Sequence, residues 1–170
     1  KVLKIFSYLP NPRVWKAVIA GNFCGVKVEV IGDKPKELGK WLWDINPRKL
    51  EEEEMTPDSA HMRLGKRGFS GALYKTDDFL NAHPFGTVPA AFSPEENLGI
   101  FESNSILRSV ARAGKTSGLY GNNHYEASRI DSFLDANLTF AREAQVYLLE
   151  IETVTKAGYE RMKLAYEFYI

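Results

Sequence analysis

Residues 86–108 read GTVPAAFSPEENLGIFESNSILR, which is two short apolar strands joined by a turn and followed by a helix. Pro89 interrupts the first strand, and a proline removes one backbone donor from a sheet ladder. Glu102 and Ser103 stand where the second strand gives way to the helix. The stretch predicts a β-hairpin with recognition groups at one end; the alternative is an edge proline followed by an ordinary serine helix cap.

The polar groups of this hairpin suit one end of an amino acid. A cis Val88–Pro89 bond would turn the backbone N–H and C=O of Val88 outward, where they can pair with a peptide-like ligand. Ser103 opens a helix, whose unpaired N–H groups and dipole attract a carboxylate. Glu102 can face an ammonium group. We therefore expect a site for a ligand that carries a carboxylate, an amine and an amide backbone.

The segments around the hairpin predict a small α/β domain. A strand at 2–8, a helix at 13–25 and a strand at 26–32 form a βαβ unit, so the two strands should be parallel. A short helix at 75–84 precedes the hairpin, and an amphipathic helix at 103–114 follows it. The predicted order is βαβ, α, ββα.

Strand signals are absent from the last third of the sequence, where apolar residues recur at helical spacing over 124–151 and again over 159–170. We expect a first domain at 1–114 and the start of an all-helical domain at 115–170. The last helix reaches Ile170 without a capping residue. It should therefore expose an apolar face, as expected of a fragment of a longer protein.

Residues 33–73 are charged and rich in proline and glycine, with an acidic run at 51–54 and a basic cluster at 63–67. This composition predicts a solvated surface insertion that is partly ordered at best. Trp41 and Trp43 argue against full disorder, because tryptophan side chains usually pack on other groups. We expect a flap whose tryptophans pack back on the α/β domain.

The composition excludes several function classes. Lys plus Arg and Asp plus Glu each number 22, so the chain lacks the basic excess of a nucleic-acid-binding protein. No apolar run approaches the ~18 residues of a membrane-spanning helix. Cys24 is the only cysteine, which favours a reducing, cytoplasmic setting and a buried thiol. His61, His83 and His124 lack metal-ligand spacing, so we expect no metal and place all three on the surface or in loops.

The segments GTVPAAF and FESNSILR, together with the element order, resemble the glutathione transferase superfamily. The resemblance implies a thioredoxin-like N-terminal domain followed by an all-α C-terminal domain that is truncated in this chain. It also implies that Val88, Pro89, Glu102 and Ser103 hold glutathione. Together with NPRVWKAVIAGNFCGVKVEV near the start, these segments are most similar in sequence to the transferase-like N-terminal domain of the elongation factor 1 gamma subunit.

Such transferases lower the pKa of the bound thiol with a hydroxyl donor and the N-terminus of the first helix. The candidates are Ser7 and Tyr8 at the end of the first strand and Asn11 in the turn, with Arg13 adding positive potential. Asn11 falls where serine-type enzymes carry serine, and Tyr8 falls near the tyrosine of tyrosine-type enzymes. The alternative is that Ser7 and Tyr8 are ordinary strand residues and that Asn11 forms the turn.

The resemblance implies a cytoplasmic enzyme that uses glutathione as co-substrate, conjugates it to a small electrophile and forms a homodimer. A second class is a non-catalytic scaffold of the elongation factor 1 complex that binds other elongation factor subunits. A third is a transferase-like domain attached to an aminoacyl-tRNA synthetase. The Val–Pro and Glu–Ser groups favour glutathione binding, whereas Asn11 in the serine position favours the scaffold.

Overall fold

The computed structural model describes most of the chain, which forms two compact units, Lys1–Thr116 and Ser117–Ile170. The described ranges are residues 2–66, 68–95, 97–115, 118–149 and 153–170. In the first unit the helices and strands are, in order, β1 (Val2–Tyr8), α1 (Pro12–Cys24), β2 (Lys27–Asp33), β3 (Trp41–Trp43), β4 (Arg48–Lys49), β5 (Met62–Leu64), β6 (Ala72–Lys75), α2 (Asp77–Ala82), β7 (Ala90–Phe92), β8 (Gly99–Ile100) and α3 (Ser103–Ala113). Two 3-10 helices, Pro35–Lys40 and Glu52–Glu54, lie between the strands of the middle segment.

The first sheet has the strand order β2-β1-β7-β8. β1 and β2 are parallel and are paired from Val2 opposite Lys27 to Tyr8 opposite Asp33. β7 is antiparallel to both β1 and β8, and α1 packs against α3. The predicted βαβ-α-ββα order of a thioredoxin-like unit is therefore confirmed.

Local sequence signals set both ends of α1. The side chain of Asn11 caps the first turn by accepting a hydrogen bond from the backbone N–H of Arg13, and Pro12 occupies the first helical position. The helix ends at Gly25, whose φ of 72° is readily adopted only by glycine, and its N–H bonds to the carbonyl of Gly21. These two signals set the length of the helix that connects the parallel strands β1 and β2.

The prediction that residues 33–73 are partly ordered at best is wrong. The segment forms a second four-stranded sheet in the order β4-β3-β6-β5, whose last strand along the chain, β6, continues to Lys75. β3 pairs in parallel with β6, with Leu42 opposite Tyr74. The reason for the error is physical: strands of two to four residues carry no readable alternation, and this pairing joins residues far apart in the sequence.

Trp41 and Trp43 pack back on the α/β unit, as predicted. The Trp43 side chain is 1% exposed, and its ring lies 5.6 Å from that of Phe6 in β1 and 5.8 Å from that of Phe79 in α2. Its indole N–H donates to the carbonyl of Leu38 over 3.0 Å. An aromatic cluster thus joins the second sheet to the first.

The acidic run is organised by its neighbours. Glu51 and Glu54 form a reciprocal capping box around the short 3-10 helix. Arg48 binds the Glu54 carboxylate with both guanidinium N–H₂ groups, at 2.6 and 2.8 Å, and this contact lowers the pKa of Glu54 to about 2. Glu51, Glu52 and Glu53 are exposed, as predicted, whereas Glu54 is half-buried.

His83 lies in the loop after α2, which is one of the two predicted alternatives, but it is buried and not at the surface. Its side chain is 1% exposed and is surrounded by the rings of Phe79, Phe92 and Phe101, with ring centres 5.1, 4.8 and 6.2 Å away. Within the described residues neither ring nitrogen makes a hydrogen bond of ordinary geometry. Burial lowers the pKa of His83 to about 4, and the nearby Ala91 backbone offsets only part of that effect.

The second unit contains α4 (His124–Leu149) and α5 (Lys156–Tyr169), which pack against each other. Phe140 lies 5.9 Å from the ring of Tyr169, and Arg161 pairs with Glu143 over 2.9 Å. The predicted apolar exposure of the last helix is confirmed, since the most exposed apolar side chain there, Phe168, is 80% exposed. No helix in the described part of the chain is both long and apolar enough to span a membrane.

The buried His83 gives the fold a pH dependence. Because the folded state binds this proton less readily than the unfolded state does, stability is lost as the pH falls from about 6.5 towards 4. We expect the free energy of unfolding to be about 2 kcal/mol lower at pH 5 than at pH 7. Urea unfolding at both values should show this loss in the wild type and in His124→Gln, which changes an exposed histidine. It should be absent from His83→Phe, and an equal loss in all three proteins would contradict the assignment.

Candidate functional site

The hairpin of β7 and β8 brings the four predicted ligand-binding residues to one end. Ala91 is opposite Ile100 in the antiparallel register. Val88 and Pro89, which precede β7, therefore lie at the same end of the hairpin as Glu102 and Ser103, which follow β8. β7 begins at Ala90 and β8 ends at Ile100, so all four residues lie just outside the ladder. Their backbone groups are therefore not committed to strand pairing.

The carboxyl end of β1 reaches the same edge of the sheet. Phe6 is opposite Ala90, so the next residues of β1 run alongside the segment that precedes β7. After Tyr8 the chain turns through a cis Leu9–Pro10 bond and begins α1. The edge is thus lined by the end of β1, the start of β7, the end of β8 and the first turns of α1 and α3.

Val88 presents its backbone at this edge. The Val88–Pro89 peptide bond is cis, as predicted. Val88 is half-buried and Pro89 is buried. Within the described residues neither backbone polar group of Val88 has a hydrogen-bond partner, so both remain available to an extended ligand.

Glu102 adopts a backbone conformation that is rare for a residue with a side chain. Its φ is 64° and its ψ is 120°, outside the regions that non-glycine residues normally occupy. The side chain is exposed and makes no hydrogen bond or ion pair within the described residues. Backbone strain of this kind concentrates at functional sites, where it fixes the direction of a side chain.

Ser103 is the first residue of α3, so its predicted place at the helix N-terminus is confirmed. The alternative interpretation, in which Ser103 is an ordinary helix cap, is wrong, because Glu102 occupies the N-cap position. The Ser103 side chain is half-buried, and its hydroxyl has no partner within the described residues. The first turn of α3 also contains no acidic residue to balance its N–H groups. These features favour an external anion at this helix end.

A lysine on α1 contacts the start of α3. Lys16 Nζ donates to the side-chain carbonyl of Asn104, which is buried directly after Ser103. Burial is the main reason why the pKa of Lys16 falls to about 8, and the nearby charges of Arg13 and Arg108 lower it further. The carboxylate of Glu102 acts in the opposite direction on the same group. Sequence reasoning missed Lys16, whose only signal is a charged residue inside an apolar helical segment.

Two of the predicted thiol-activating residues lie inside the protein. Ser7 and Asn11 are both 0% exposed, and Asn11 Nδ2 donates to Ser7 Oγ over 3.0 Å. Asn11 Oδ1 accepts the N–H of Arg13 over 3.0 Å. Both polar ends of the amide are thus engaged in joining β1 to α1, and the structure does not bring Ser7 or Asn11 to the open edge.

Tyr8 is the predicted donor that lies nearer the surface. Its side chain is half-buried and its ring is 6.3 Å from that of Phe69. The phenol oxygen has no hydrogen-bond partner among the described residues. Arg13, in the first turn of α1, is also half-buried. These two residues are the remaining candidates for polarising a ligand at this edge.

Lys75 is a further cation that sequence reasoning did not identify. It lies close to residues 86–88, which we call the recognition segment. Its ammonium donates to the carbonyl of Gly86 over 2.7 Å and lies 4.6 Å from the centre of the Trp43 ring. Burial is the main cause of its lowered pKa, and the charge of Arg63 adds to it. Within the described residues, no group of three or more His, Cys, Asp or Glu side chains is arranged to hold a metal ion.

Comparison with known proteins relates this arrangement to two groups. None of the protein-family models matches the chain. Among curated proteins, the chain is 30% identical over 129 residues to elongation factor 1-gamma 3 of Oryza sativa subsp. japonica, a match that covers 76% of this chain and 22% of that protein. The chain therefore spans about a quarter or less of the length of the curated relatives it matches.

Solved structures of glutathione transferases share the fold. A Bombyx mori glutathione transferase superposes with a TM-score of 0.62 at 17% identity, covering 99% of this chain and 64% of that one. A glutathione S-transferase of Methylobacterium radiotolerans in complex with glutathione sulfonate gives a TM-score of 0.60 at 13% identity, again covering 99% and 64%.

The chain has the glutathione transferase fold, with a thioredoxin-like unit followed by a helical unit, and its sequence is similar to elongation factor 1-gamma. Both resemblances predicted from the sequence are confirmed.

The capping role of Asn11 can be tested by substitution. Asn11→Ala removes the α1 cap and leaves the buried Ser7 hydroxyl without its donor. We expect the free energy of unfolding to fall by about 1–2 kcal/mol. Asn11→Ser keeps a neutral side-chain oxygen that can accept the Arg13 N–H and should lose less stability in the same urea titration. Equal stabilities of Asn11→Ala and the wild type would show that the cap contributes nothing.

Proposed function

We propose that this chain is a glutathione-binding, non-catalytic domain of an elongation factor 1-gamma-like protein in the cytoplasm. The observation that carries the binding proposal is the start of α3. Among the described residues the Ser103 hydroxyl and the backbone of Val88 have no hydrogen-bond partner, and the hairpin register brings both, with the strained Glu102, to the same end of the sheet. These groups match the carboxylate, ammonium and amide of a γ-glutamyl peptide.

In this proposal each end of the ligand has a defined partner. The γ-glutamyl carboxylate accepts hydrogen bonds from the Ser103 hydroxyl and from the N–H groups of the first turn of α3. Glu102, held outward by its backbone, faces the ammonium. The peptide part pairs with the backbone of Val88 next to Pro89. The glutathione sulfonate complex of a protein with the same fold supports this choice of ligand.

The absence of thiol activation is inferred from the residues that lie near the first helix. A hydroxyl donor must reach the sulfur to stabilise a thiolate, yet Ser7 and Asn11 are fully buried and bonded to each other. The similarity to elongation factor 1-gamma supports a scaffold that assembles with elongation factor subunits. A homodimer is part of the same proposal.

The second candidate is a transferase that conjugates glutathione to a small electrophile. It is favoured by Tyr8, whose phenol has no partner among the described residues and which ends the strand at this edge. Arg13 would add positive potential near the sulfur. The two candidates share the glutathione site and differ in whether the bound thiol is ionised.

Calorimetric titration with glutathione tests the binding proposal. Ser103→Ala removes one hydrogen bond to a charged group and keeps the backbone donors, so affinity should fall by about tenfold to a hundredfold. Stability should be unchanged, because Ser103 is not the N-cap. Ser105→Ala makes the same change two residues along the helix and should bind as the wild type does. Unchanged affinity in Ser103→Ala would remove Ser103 from the site.

Conjugation of glutathione to 1-chloro-2,4-dinitrobenzene separates the two candidates. We expect the wild type and Tyr8→Phe to give the same rate as buffer alone, because Ser7 and Asn11 are buried and bonded to each other and the proposal gives Tyr8 no role at the thiol. A wild-type rate well above buffer that Tyr8→Phe abolishes would instead establish the transferase. The assay uses the protein that was titrated with glutathione, so that binding is known beforehand.

A further inference from the structure

The second sheet is connected to the recognition segment through Lys75. This residue ends β6 and is paired with Trp43 of β3. Its ammonium lies 4.6 Å from the centre of the Trp43 ring and donates to the carbonyl of Gly86 over 2.7 Å. Gly86 is two residues before Val88, so this cation holds the chain just where it enters the site.

The ring that receives Lys75 is itself fixed. Trp43 is 1% exposed, and its indole N–H is bonded to the carbonyl of Leu38. The rings of Phe6 and Phe79 pack edge-on against it, 5.6 and 5.8 Å away. A side chain with these contacts has one orientation, so it presents its face to the ammonium in one place.

The loop that carries Gly86 fits closely around the lysine. Gly86 has a φ of 57°, and its N–H donates to the carbonyl of His83 over 2.8 Å. A Cβ atom at this position would lie 3.0 Å from Lys75 Nζ and 3.2 Å from Leu80 Cδ2. A half-buried ammonium is stabilised by a hydrogen-bond acceptor and by the face of an aromatic ring. The Gly86 carbonyl and the Trp43 ring supply them together.

We infer that Trp43 and Lys75 are positioning residues for Val88, so that the second sheet sets the affinity of the site for glutathione. The inference rests on the proposed function for its binding readout. Trp43 acts through Lys75 and Gly86 and does not itself contact the ligand. The segment that the sequence presents as a surface insertion thereby becomes part of the support of the site.

The chain provides a matched control in Trp41. Trp41 lies two residues away on the same strand, also packs against Phe6, at 5.9 Å, and also has a lysine over its ring, Lys49 at 5.9 Å. Lys49, in β4, pairs with Asp33 at the end of β2, whereas Lys75 donates to the carbonyl of Gly86. Truncating either tryptophan therefore damages the same cluster, but only the change at Trp43 releases Lys75.

The test is calorimetric titration of Trp43→Leu, Trp43→Phe and Trp41→Leu with glutathione. We expect Trp43→Leu to weaken binding about threefold to tenfold, the range of one partly desolvated cation–π contact. Trp43→Phe should recover most of that loss, and Trp41→Leu should stay within about twofold of the wild type. Equal losses in Trp43→Leu and Trp41→Leu would reduce the effect to general destabilisation and overturn the inference.

Backbone amide shifts from ¹⁵N spectra of the ligand-free proteins give a second readout. Trp43→Leu should move the amide signals of residues 86–88, whereas Trp41→Leu should leave them in place; any other pattern overturns the inference. If the wild type does not bind glutathione, the proposed function fails and these shifts alone decide the positioning role. If Trp43→Leu does not fold, Lys75→Met replaces it in the same spectra, and unmoved amides would count against the inference.

Discussion

β7 runs antiparallel to both of its neighbours, and this constraint places every element of the candidate site. Since β1 and β8 both run opposite to β7, their carboxyl ends meet the segment before β7 at one edge of the sheet. Each of those ends then leads into a helix, α1 after β1 and α3 after β8. Strand direction alone thus brings together two helix N-termini and the backbone of Val88, which has no hydrogen-bond partner in the described part of the chain.

The aromatic cluster around Trp43 is the second organising feature. It packs the inserted sheet onto β1 and α2 through Phe6 and Phe79. The same cluster continues through Phe92 to the buried imidazole of His83, just before the loop that leads to Val88. The recognition segment is therefore supported by the aromatic packing around His83 and by the hydrogen bond from Lys75 to Gly86.

The sequence predicted the parts of the structure that rest on local chemistry. Residues 2–8 are the first strand with the boundaries expected, and the positions of Asn11, Pro12 and Gly25 bracket α1 to within a residue. The place of Ser103 at the start of α3 was also predictable from residue type, whereas residue type only allowed a cis bond before Pro89 and the family resemblance favoured it. These features depend on neighbours in the chain, which is why one sequence is enough to find them.

The parts that were missed depend on contacts between distant residues. The strands of the second sheet are too short to show a period, and their order follows from the packing of Trp43 into a core formed by other segments. His83 does lie in a loop, but its burial was missed because nothing near it in sequence reveals the three phenylalanine rings that enclose it. The mutual burial of Ser7 and Asn11 likewise depends on how β1 meets α1.

The central claim is that this domain binds glutathione through the start of α3 and leaves its thiol un-ionised. Ultraviolet titration of the thiolate of bound glutathione against pH tests both halves of that claim together. We expect saturable binding, with the pKa of the bound thiol close to the ordinary thiol value of about 8.5. A bound thiol whose pKa is lowered by more than about one unit would contradict the non-catalytic assignment, and an absence of binding would contradict the site itself.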